Sequence, residues 1–246
     1  MEDAPAIELR SLTKTYGSQR ALDAVTLVVG RGEIFGYLGP NGAGKTTTIK
    51  ILTGLLRPTD GDARVAGFSV LETPLEVKAR VGYVPESGAL YEKLAPAEYL
   101  TLVGRLYKMP GPAIEEGLAR WLARFQLAAQ RSTPMHALSK GMRQKVCWIA
   151  ALLHEPEVLV LDEPLNALDV EAVALAKDLM SELAADGRTI FYSSHLMDVV
   201  ARVCSRVAVL RAGRLVASGT PGEVTASAGA PDLEQALLKL CRDPAA

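Results

Sequence analysis

The residues best suited to chemistry form a phosphate-binding pattern, GxxxxGK[ST], between positions 39 and 46. Its glycines allow a tight backbone turn, so that successive N–H groups and the positive end of a following helix face a polyphosphate. Lys45 adds a mobile charge for the β- and γ-phosphates, and Thr46 a hydroxyl for Mg²⁺. A Gly-rich turn is the alternative, but the pattern lies between a strand-like run at 33–38 and a helix-forming run at 46–53. We predict a nucleoside triphosphate site formed by Gly39, Pro40, Asn41, Gly42, Ala43, Gly44, Lys45, Thr46 and Thr47.

Two acids and a histidine follow other apolar runs. Asp162 and Glu163 come directly after four aliphatic residues at 158–161, where a parallel sheet presents ligands at the carboxyl ends of its strands. Asp162 is suited to holding Mg²⁺ through water, and Glu163 to polarising the water that attacks a γ-phosphate. A solvated turn is the alternative for these acids. His195 ends another such run and could donate to the γ-phosphate or orient Glu163, although a lone histidine is more often a surface or satisfied core residue.

A second anion site is predicted at the start of the helix expected from about residue 139 to about residue 154. Ser139 is a good N-cap, and the free N–H groups of the first turn favour an anion. Two anion sites serve one phosphate only if they approach it from opposite sides.

The elements that would position these residues predict an α/β protein. Continuous apolar runs at 33–38, 158–161 and 189–192 are typical of a parallel sheet, and a helical stretch is expected at 170–185. Short strand-like runs at 7–9, 25–29 and 62–65 predict an N-terminal antiparallel β element, with a turn at 58–61. Helical spacing from about 96 to 130 predicts an inserted α-helical subdomain, approximately 87–140. A hairpin is expected around Ala212-Gly213 and an amphipathic helix at 231–242.

Composition favours one folded domain over residues 1–246, with a short C-terminal helical tail at 222–246. The chain is 49% hydrophobic, and its net charge of −1 offers no global attraction for nucleic acid, which is not expected as a partner. The acidic start at 1–5 does not predict an export signal. The sequence has no apolar run of about 20 residues, so no membrane span is predicted. Three widely spaced cysteines suit a reducing compartment and a structural or incidental role.

In their order along the chain, these segments resemble the motifs of the ATP-binding subunit of an ATP-binding cassette (ABC) transporter, over nearly the whole length. Residues 39–46 resemble the Walker A loop, 158–163 the Walker B strand with its catalytic glutamate, and 138–142 the signature motif. Leu168-Asp169 resembles the D-loop, and His195 the switch histidine. Tyr16 resembles the aromatic residue that stacks on adenine, with a packing aromatic as its alternative, and Glu86 falls at the Q-loop position.

The resemblance implies a P-loop NTPase core that hydrolyses ATP with Mg²⁺, held by Thr46, Glu86 and Asp162. Two cassettes, expected to be copies of one chain, would meet head to tail, so that Ser139, Lys140, Gly141 and Met142 contact the nucleotide of the partner, with Asp169 beside them. The partner subunit would be an integral-membrane permease, which places the chain in the cytoplasm on the inner face of the cell membrane. The combination of Tyr-Val-Pro-Glu and Leu-Ser-Lys-Gly-Met resembles the bacterial branch of multidrug, antibiotic, sodium and polysaccharide exporters.

Three departures from the family pattern bear on turnover. Lys140 and Met142 replace a Gly and a Gln of the signature, Glu86 replaces a Gln, and Asn166-Ala167 replaces Ser-Gly. Ser139 and Gly141, the groups expected at the phosphate, are retained. A soluble ABC ATPase acting on ribosomes, DNA or cluster assembly is the runner-up, although such relatives tend to carry two cassettes, a coiled-coil insertion or a basic arm. A nucleotide-gated module without turnover is a third alternative.

Overall fold

A computed structural model of the chain describes residues 4–86 and 90–242. The acidic start at 1–3, the first residues of the expected insertion at 87–89 and the end of the tail at 243–246 lie outside the described residues. The described strands are β1 (Ile7–Tyr16), β2 (Gln19–Val29), β3 (Ile34–Leu38), β4 (Asp60–Val65), β5 (Phe68–Ser69), β6 (Val81–Val84), β7 (Val158–Asp162), β8 (Thr189–Ser193), β9 (Arg206–Arg211) and β10 (Arg214–Gly219). The described α-helices are α1 (Lys45–Leu52), α2 (Pro74–Arg80), α3 (Pro96–Leu106), α4 (Gly111–Arg124), α5 (Lys140–Leu152), α6 (Val170–Ala185), α7 (Met197–Val203), α8 (Pro221–Ser227) and α9 (Leu233–Cys241).

Six strands form the central sheet in the order β10-β9-β3-β8-β7-β6. Among the described strands of this sheet, the pairs from β9 to β6 are parallel, and only the β9–β10 hairpin is antiparallel. Every residue of β3, β7 and β8 is buried. The order brings the carboxyl ends of β3, β8, β7 and β6 side by side at one edge of the sheet.

Two hydrophobic clusters explain why the strand sequences are continuously apolar. In β7, Leu159 and Leu161 pack on one face with the helices, while Val158 and Val160 pack on the other with the N-terminal strands. Because successive side chains of a strand point to opposite faces, a strand covered on both faces is apolar at every position. The predicted α/β fold, with a mainly parallel sheet and an antiparallel element, is confirmed.

The antiparallel element is larger than the sequence predicted. It has four strands in the order β2-β1-β4-β5. β1 has 10 residues and β2 has 11, so both extend well beyond the apolar runs predicted at 7–9 and 25–29. Register shifts interrupt the β1–β2 pairing, and Ser11 and Ala24 have left-handed φ angles of 48° and 49°. Such bulges break the alternation of apolar and polar residues, which is why the strands predicted from the sequence were shorter than the observed ones. The expected turn at 58–61 is partly wrong, since Asp60 and Gly61 already belong to β4, where Asp60 pairs with Thr13 of β1.

The described residues between β6 and β7 form three α-helices and two short 3-10 turns, Ala128–Gln130 and Met135–Ala137. Their apolar side chains, including Leu100, Leu118 and Trp121, belong to the same cluster as the sheet residues. The tail contains α8 as well as the expected α9, and α2 and α7 were also missed. Each missed helix has seven residues, too short for a clear 3.6-residue pattern and dependent on tertiary packing. Within the described part of the chain, no helix is long and apolar enough to cross a bilayer.

Candidate nucleotide-binding site

A cavity of about 930 Å³ lies at the edge of the sheet where the four carboxyl ends meet. It brings together eleven of the predicted site residues from five separate stretches of chain. These are Tyr16, Asn41, Gly42, Gly44, Lys45, Thr46, Thr47, Glu86, Asp162, Glu163 and His195. Residues the sequence did not single out as site residues, Gln19, Arg20, Ala21, Asn166 and Ala212, complete the lining.

The phosphate-binding loop connects β3 to α1 and depends on two glycines. Gly39 has φ 150°, and a Cβ there would lie 2.2 Å from the Leu210 carbonyl oxygen. Gly44 has φ 111° at the start of α1, and a Cβ there would lie 2.6 Å from the carbonyl oxygen of Ala21. Any larger residue would push the loop off the strands behind it. Three loop residues that were predicted to bind nucleotide do not line the cavity, namely Gly39, Pro40 and Ala43.

Lys45 begins α1 with its ammonium group turned into the loop. Its Nζ donates to the carbonyl oxygens of Gly39 at 2.6 Å and Pro40 at 3.1 Å. Burial lowers the pKa of Lys45, and the nearby Glu163 and Asp162 partly offset that effect. Lys45, the exposed Thr46 and the half-buried Thr47 all line the cavity. The first turn of α1 therefore presents hydrogen-bond donors and the positive end of the helix dipole to the cavity.

Asp162 ends β7 as a buried carboxylate. Ser193 Oγ, on the neighbouring strand β8, donates to Asp162 Oδ1 at 2.7 Å, which fixes the side chain. Thr46 and Glu86 line the same cavity, so one hydroxyl and two carboxyl groups face a common space. Hard oxygen donors with room for phosphate oxygens and waters are what Mg²⁺ prefers, and these residues fit that ion.

Glu163 has an unusual backbone that aims its side chain at His195. Its φ is 47°, a left-handed value that costs a non-glycine residue about 1–2 kcal/mol. The Glu163 N–H donates to the Ser193 carbonyl at 3.1 Å, which extends the β7–β8 pairing and holds this conformation. Glu163 Oε2 lies 2.8 Å from His195 Nδ1 and accepts from the His195 N–H at 3.3 Å. Burial raises the pKa of Glu163, and His195 and Lys45 partly offset the rise.

Tyr16 lies on the cavity rim at the end of β1, with 48% of its surface exposed. The Lys14 ammonium is 5.3 Å from the centre of its ring, and Lys14 is itself held by the Arg57 carbonyl at 2.8 Å. A cation on an aromatic face contributes about 0.5–1 kcal/mol at exposed sites, so Lys14 helps to fix the ring. Arg20, beyond the same β1–β2 turn, is held by Asp23 at 2.7 Å.

The predicted second anion site lies apart from this cavity. Ser139 is exposed at the start of α5 and accepts from the Met142 N–H at 3.1 Å, as an N-cap does. Asp169 caps α6 in the same way, accepting from the Ala172 N–H at 2.8 Å, and its carboxylate is 3.3 Å from Lys145 Nζ. In the described residues, Ser139, Lys140, Gly141, Met142 and Asp169 contribute nothing to the cavity lining.

Comparison with known proteins gives a consistent result. The model of the ABC transporter family matches residues 22–166. An uncharacterised ABC transporter ATP-binding protein of Methanocaldococcus jannaschii is 36% identical over 87% of this chain and 78% of its own. Nod factor export ATP-binding protein I of Ralstonia nicotianae is 35% identical, covering 89% and 68%, and a daunorubicin resistance ATP-binding protein of Streptomyces coeruleorubidus is 36% identical, covering 94% and 73%.

Comparison with solved structures leads to the same family as comparison with sequences. An ATP-binding subunit of an ABC transporter superposes with a TM-score of 0.90 at 34% identity, covering 96% of this chain and 99% of its own. A dimeric ATP-binding cassette in a post-hydrolysis state, bound to ADP and Pi, gives 0.81 at 25% identity, covering 87% and 98%. The chain belongs to the ABC transporter family, as an ATP-binding subunit, and the resemblance stated from its motifs is confirmed.

Proposed function

We propose that this chain is the ATP-hydrolysing subunit that powers a separate integral-membrane permease, and that the transporter is an exporter. The observation that carries the proposal is the convergence of Lys45, Asp162, Glu163 and His195 on one cavity, each from the carboxyl end or following turn of a sheet strand. Relatives named for Nod factor export and daunorubicin resistance support the export direction.

The hydrolytic step assigned to the chain's own residues begins with binding. Tyr16 would stack on adenine, and the loop 39–47 would hold the phosphates, with Lys45 exchanging its two carbonyl contacts for phosphate oxygens. Glu163 would accept the proton of the attacking water at a carboxylate oxygen. His195, 2.8 Å away, would hold that carboxylate in position and reach the γ-phosphate. Mg²⁺, where bound by Thr46, Asp162 and Glu86, would supply charge neutralisation at the phosphates.

The second half of the site would come from another copy of the chain. The start of α5 offers a capped, exposed helix end that does not line its own cavity, which suits contact with a nucleotide held by a partner. In that arrangement Ser139, Lys140, Gly141 and Met142 contact the γ-phosphate from the side opposite Lys45, with Asp169 at the interface. Lys140 would add a positive charge where the family usually has glycine.

Affinity capture of the chain from detergent-solubilised native membranes tests this function. We expect a multi-spanning protein in stoichiometric amount, and Mg²⁺-dependent ATP hydrolysis by the recovered complex. Lys45→Ala should weaken ATP binding and lower turnover by about 100-fold or more, because a charge-assisted phosphate contact is lost.

Lys50→Ala is the matched control, since Lys50 is an exposed lysine of the same helix that does not line the cavity. It should hydrolyse ATP like the unmodified chain. Recovery of ribosomes, DNA or soluble enzymes alone would make a soluble ABC ATPase the better description, and normal turnover of Lys45→Ala would overturn the phosphate site.

A further inference from the structure

Gln144, on the second turn of α5, is a buried amide that reaches toward two loops. Its side chain is 3% exposed. Nε2 donates to the Pro85 carbonyl oxygen at 3.0 Å and lies 3.5 Å from the Pro164 carbonyl oxygen, the long limit for a hydrogen bond. Both neighbours are acceptors, so the NH₂ end of the amide must face them.

The two carbonyls belong to the residues that adjoin the carboxylates of the site. Pro85 immediately precedes Glu86, and Pro164 immediately follows Glu163. Trp148, one turn further along α5, donates from Nε1 to the same Pro164 carbonyl at 3.2 Å. One side chain therefore links the turn after β6 to the turn after β7, at the edge where both turns line the cavity.

We propose that Gln144 is a positioning residue that sets the separation of Glu86 and Glu163, a proposal that rests on the proposed ATP hydrolysis. The amide holds both turns at one helix, so that neither carboxylate moves without the other. The start of the same helix, at Ser139, is five residues away, about 7.5 Å along the axis. Contact of a partner's nucleotide with that helix end is thereby transmitted to both carboxylates of this chain.

The test is Gln144→Met, which keeps the side-chain length and removes the donors. We expect kcat to fall by about 10- to 100-fold, the usual loss when a group that orients metal or catalytic ligands is removed. The KM for ATP should stay within about threefold, because Gln144 does not line the cavity, and the Mg²⁺ concentration for half-maximal rate should rise because Glu86 is displaced. A purely structural role would not separate kcat from KM in this way.

Two control variants make the result specific. His154→Phe removes the Nε2 bond of His154 to the Val81 carbonyl, which ties the other end of β6 to the residues just after α5, and keeps an aromatic ring against Tyr107. It should change kcat by about threefold or less. Trp148→Phe removes a donor to Pro164 alone and should have a smaller effect than Gln144→Met.

An unchanged kcat in Gln144→Met, or a loss matched by His154→Phe, overturns the proposal. If Trp148→Phe lowers kcat as much as Gln144→Met does, the bond to the Pro85 carbonyl has no part in the effect. The proposal is then overturned, because only the bond to the Pro164 carbonyl would matter. If Gln144→Met does not fold, Gln144→Asn, which keeps the amide but is too short to span both turns, should show the same split between kcat and KM. Inactivity of the unmodified chain would refute the proposed ATP hydrolysis. Failure of the proposed role of Gln144 is distinct, because it would appear only as a difference between variants of an active chain.

Discussion

Glu163 is held by neighbouring residues at both its backbone and its side chain. Its left-handed φ of 47° is held by a hydrogen bond to Ser193, and its side chain is held by His195. Burial raises its pKa, while the pKa of Lys45 is lowered by burial in the same cavity. The two shifts narrow the pH range in which the carboxylate and the ammonium are both charged.

The pH dependence of kcat/KM for ATP should show this narrowing. Activity requires ionised Glu163, so it should be lost as pH falls through a pKa above the ordinary glutamate value of 4.5. It also requires charged Lys45, so it should fall as pH rises through a pKa below 10.5. His195→Ala, which removes a group that lowers the pKa of Glu163, should move the acid limb to higher pH.

His136→Ala is the matched control for that shift, because His136 bonds to the Glu92 carbonyl and does not line the cavity. An acid limb at the position of an unperturbed glutamate, or one that His195→Ala leaves in place, would argue against Glu163 as the proton acceptor.

The residues predicted from sequence are those whose chemistry shows in local patterns. Lys45 lies in a phosphate-binding loop pattern, and Asp162 and Glu163 directly follow an apolar run. All three residues could therefore be predicted without knowledge of the fold. Ser193 and Gln144 could not, since the groups they bond, Asp162 and the Pro85 carbonyl, are 31 and 59 positions away. Arg20 could have been noticed, because Tyr16 pairs with Gln19 across the tight β1–β2 turn that Arg20 follows.

At the scale of elements, α5 connects the two halves of the proposed site. Its first turn is the proposed contact for a partner's nucleotide, and its second turn bonds the loops that hold Glu86 and Glu163. Long elements such as α6 were predictable from 3.6-residue spacing, whereas α2, α7 and α8 were not. The β1–β2 bulges at Ser11 and Ala24 left no sequence signal, because neither position carries glycine or asparagine.

The start of α5 also packs closely against the segment that follows β7. A Cβ on Gly141 would lie 2.6 Å from the Ala167 carbonyl oxygen, a backbone atom that can move only with its loop. Gly141→Ala should therefore displace the loop 163–169, lower the free energy of unfolding by about 1–3 kcal/mol and reduce turnover by about tenfold or more. ATP affinity of the isolated chain should change little, because Gly141 does not line its cavity.

Gly111→Ala is the matched control, since Gly111 begins α4 and a Cβ there would meet nothing within 4 Å. It should leave turnover unchanged and make the fold equally stable or slightly more stable, because alanine is the better helix former. Denaturant unfolding and steady-state ATPase assays compare the two variants. Equal turnover in both would mean that the Gly141–Ala167 contact has no part in the reaction.

At the scale of the whole molecule, the proposed function has one copy of the chain carry two incomplete halves of a site. The cavity lies at the carboxyl edge of the sheet, and the starts of α5 and α6 present exposed groups that do not face it, including Ser139 and Val170, which is 88% exposed. Two copies related head to tail would cover both surfaces and complete two sites.

A closed dimer should therefore accumulate when ATP is bound but not hydrolysed. Glu163→Gln keeps the size of the side chain and removes the proton acceptor, so turnover should fall by about 100-fold or more while ATP still binds. Size exclusion with Mg²⁺ and ATP should show this variant at twice the monomer mass.

The double variant Glu163→Gln with Lys45→Ala should remain monomeric, as should Glu163→Gln with ADP, because the γ-phosphate is the group that both copies would contact. A dimer that forms equally well with ADP would contradict this arrangement, because the γ-phosphate would then not stabilise the interface between the two copies.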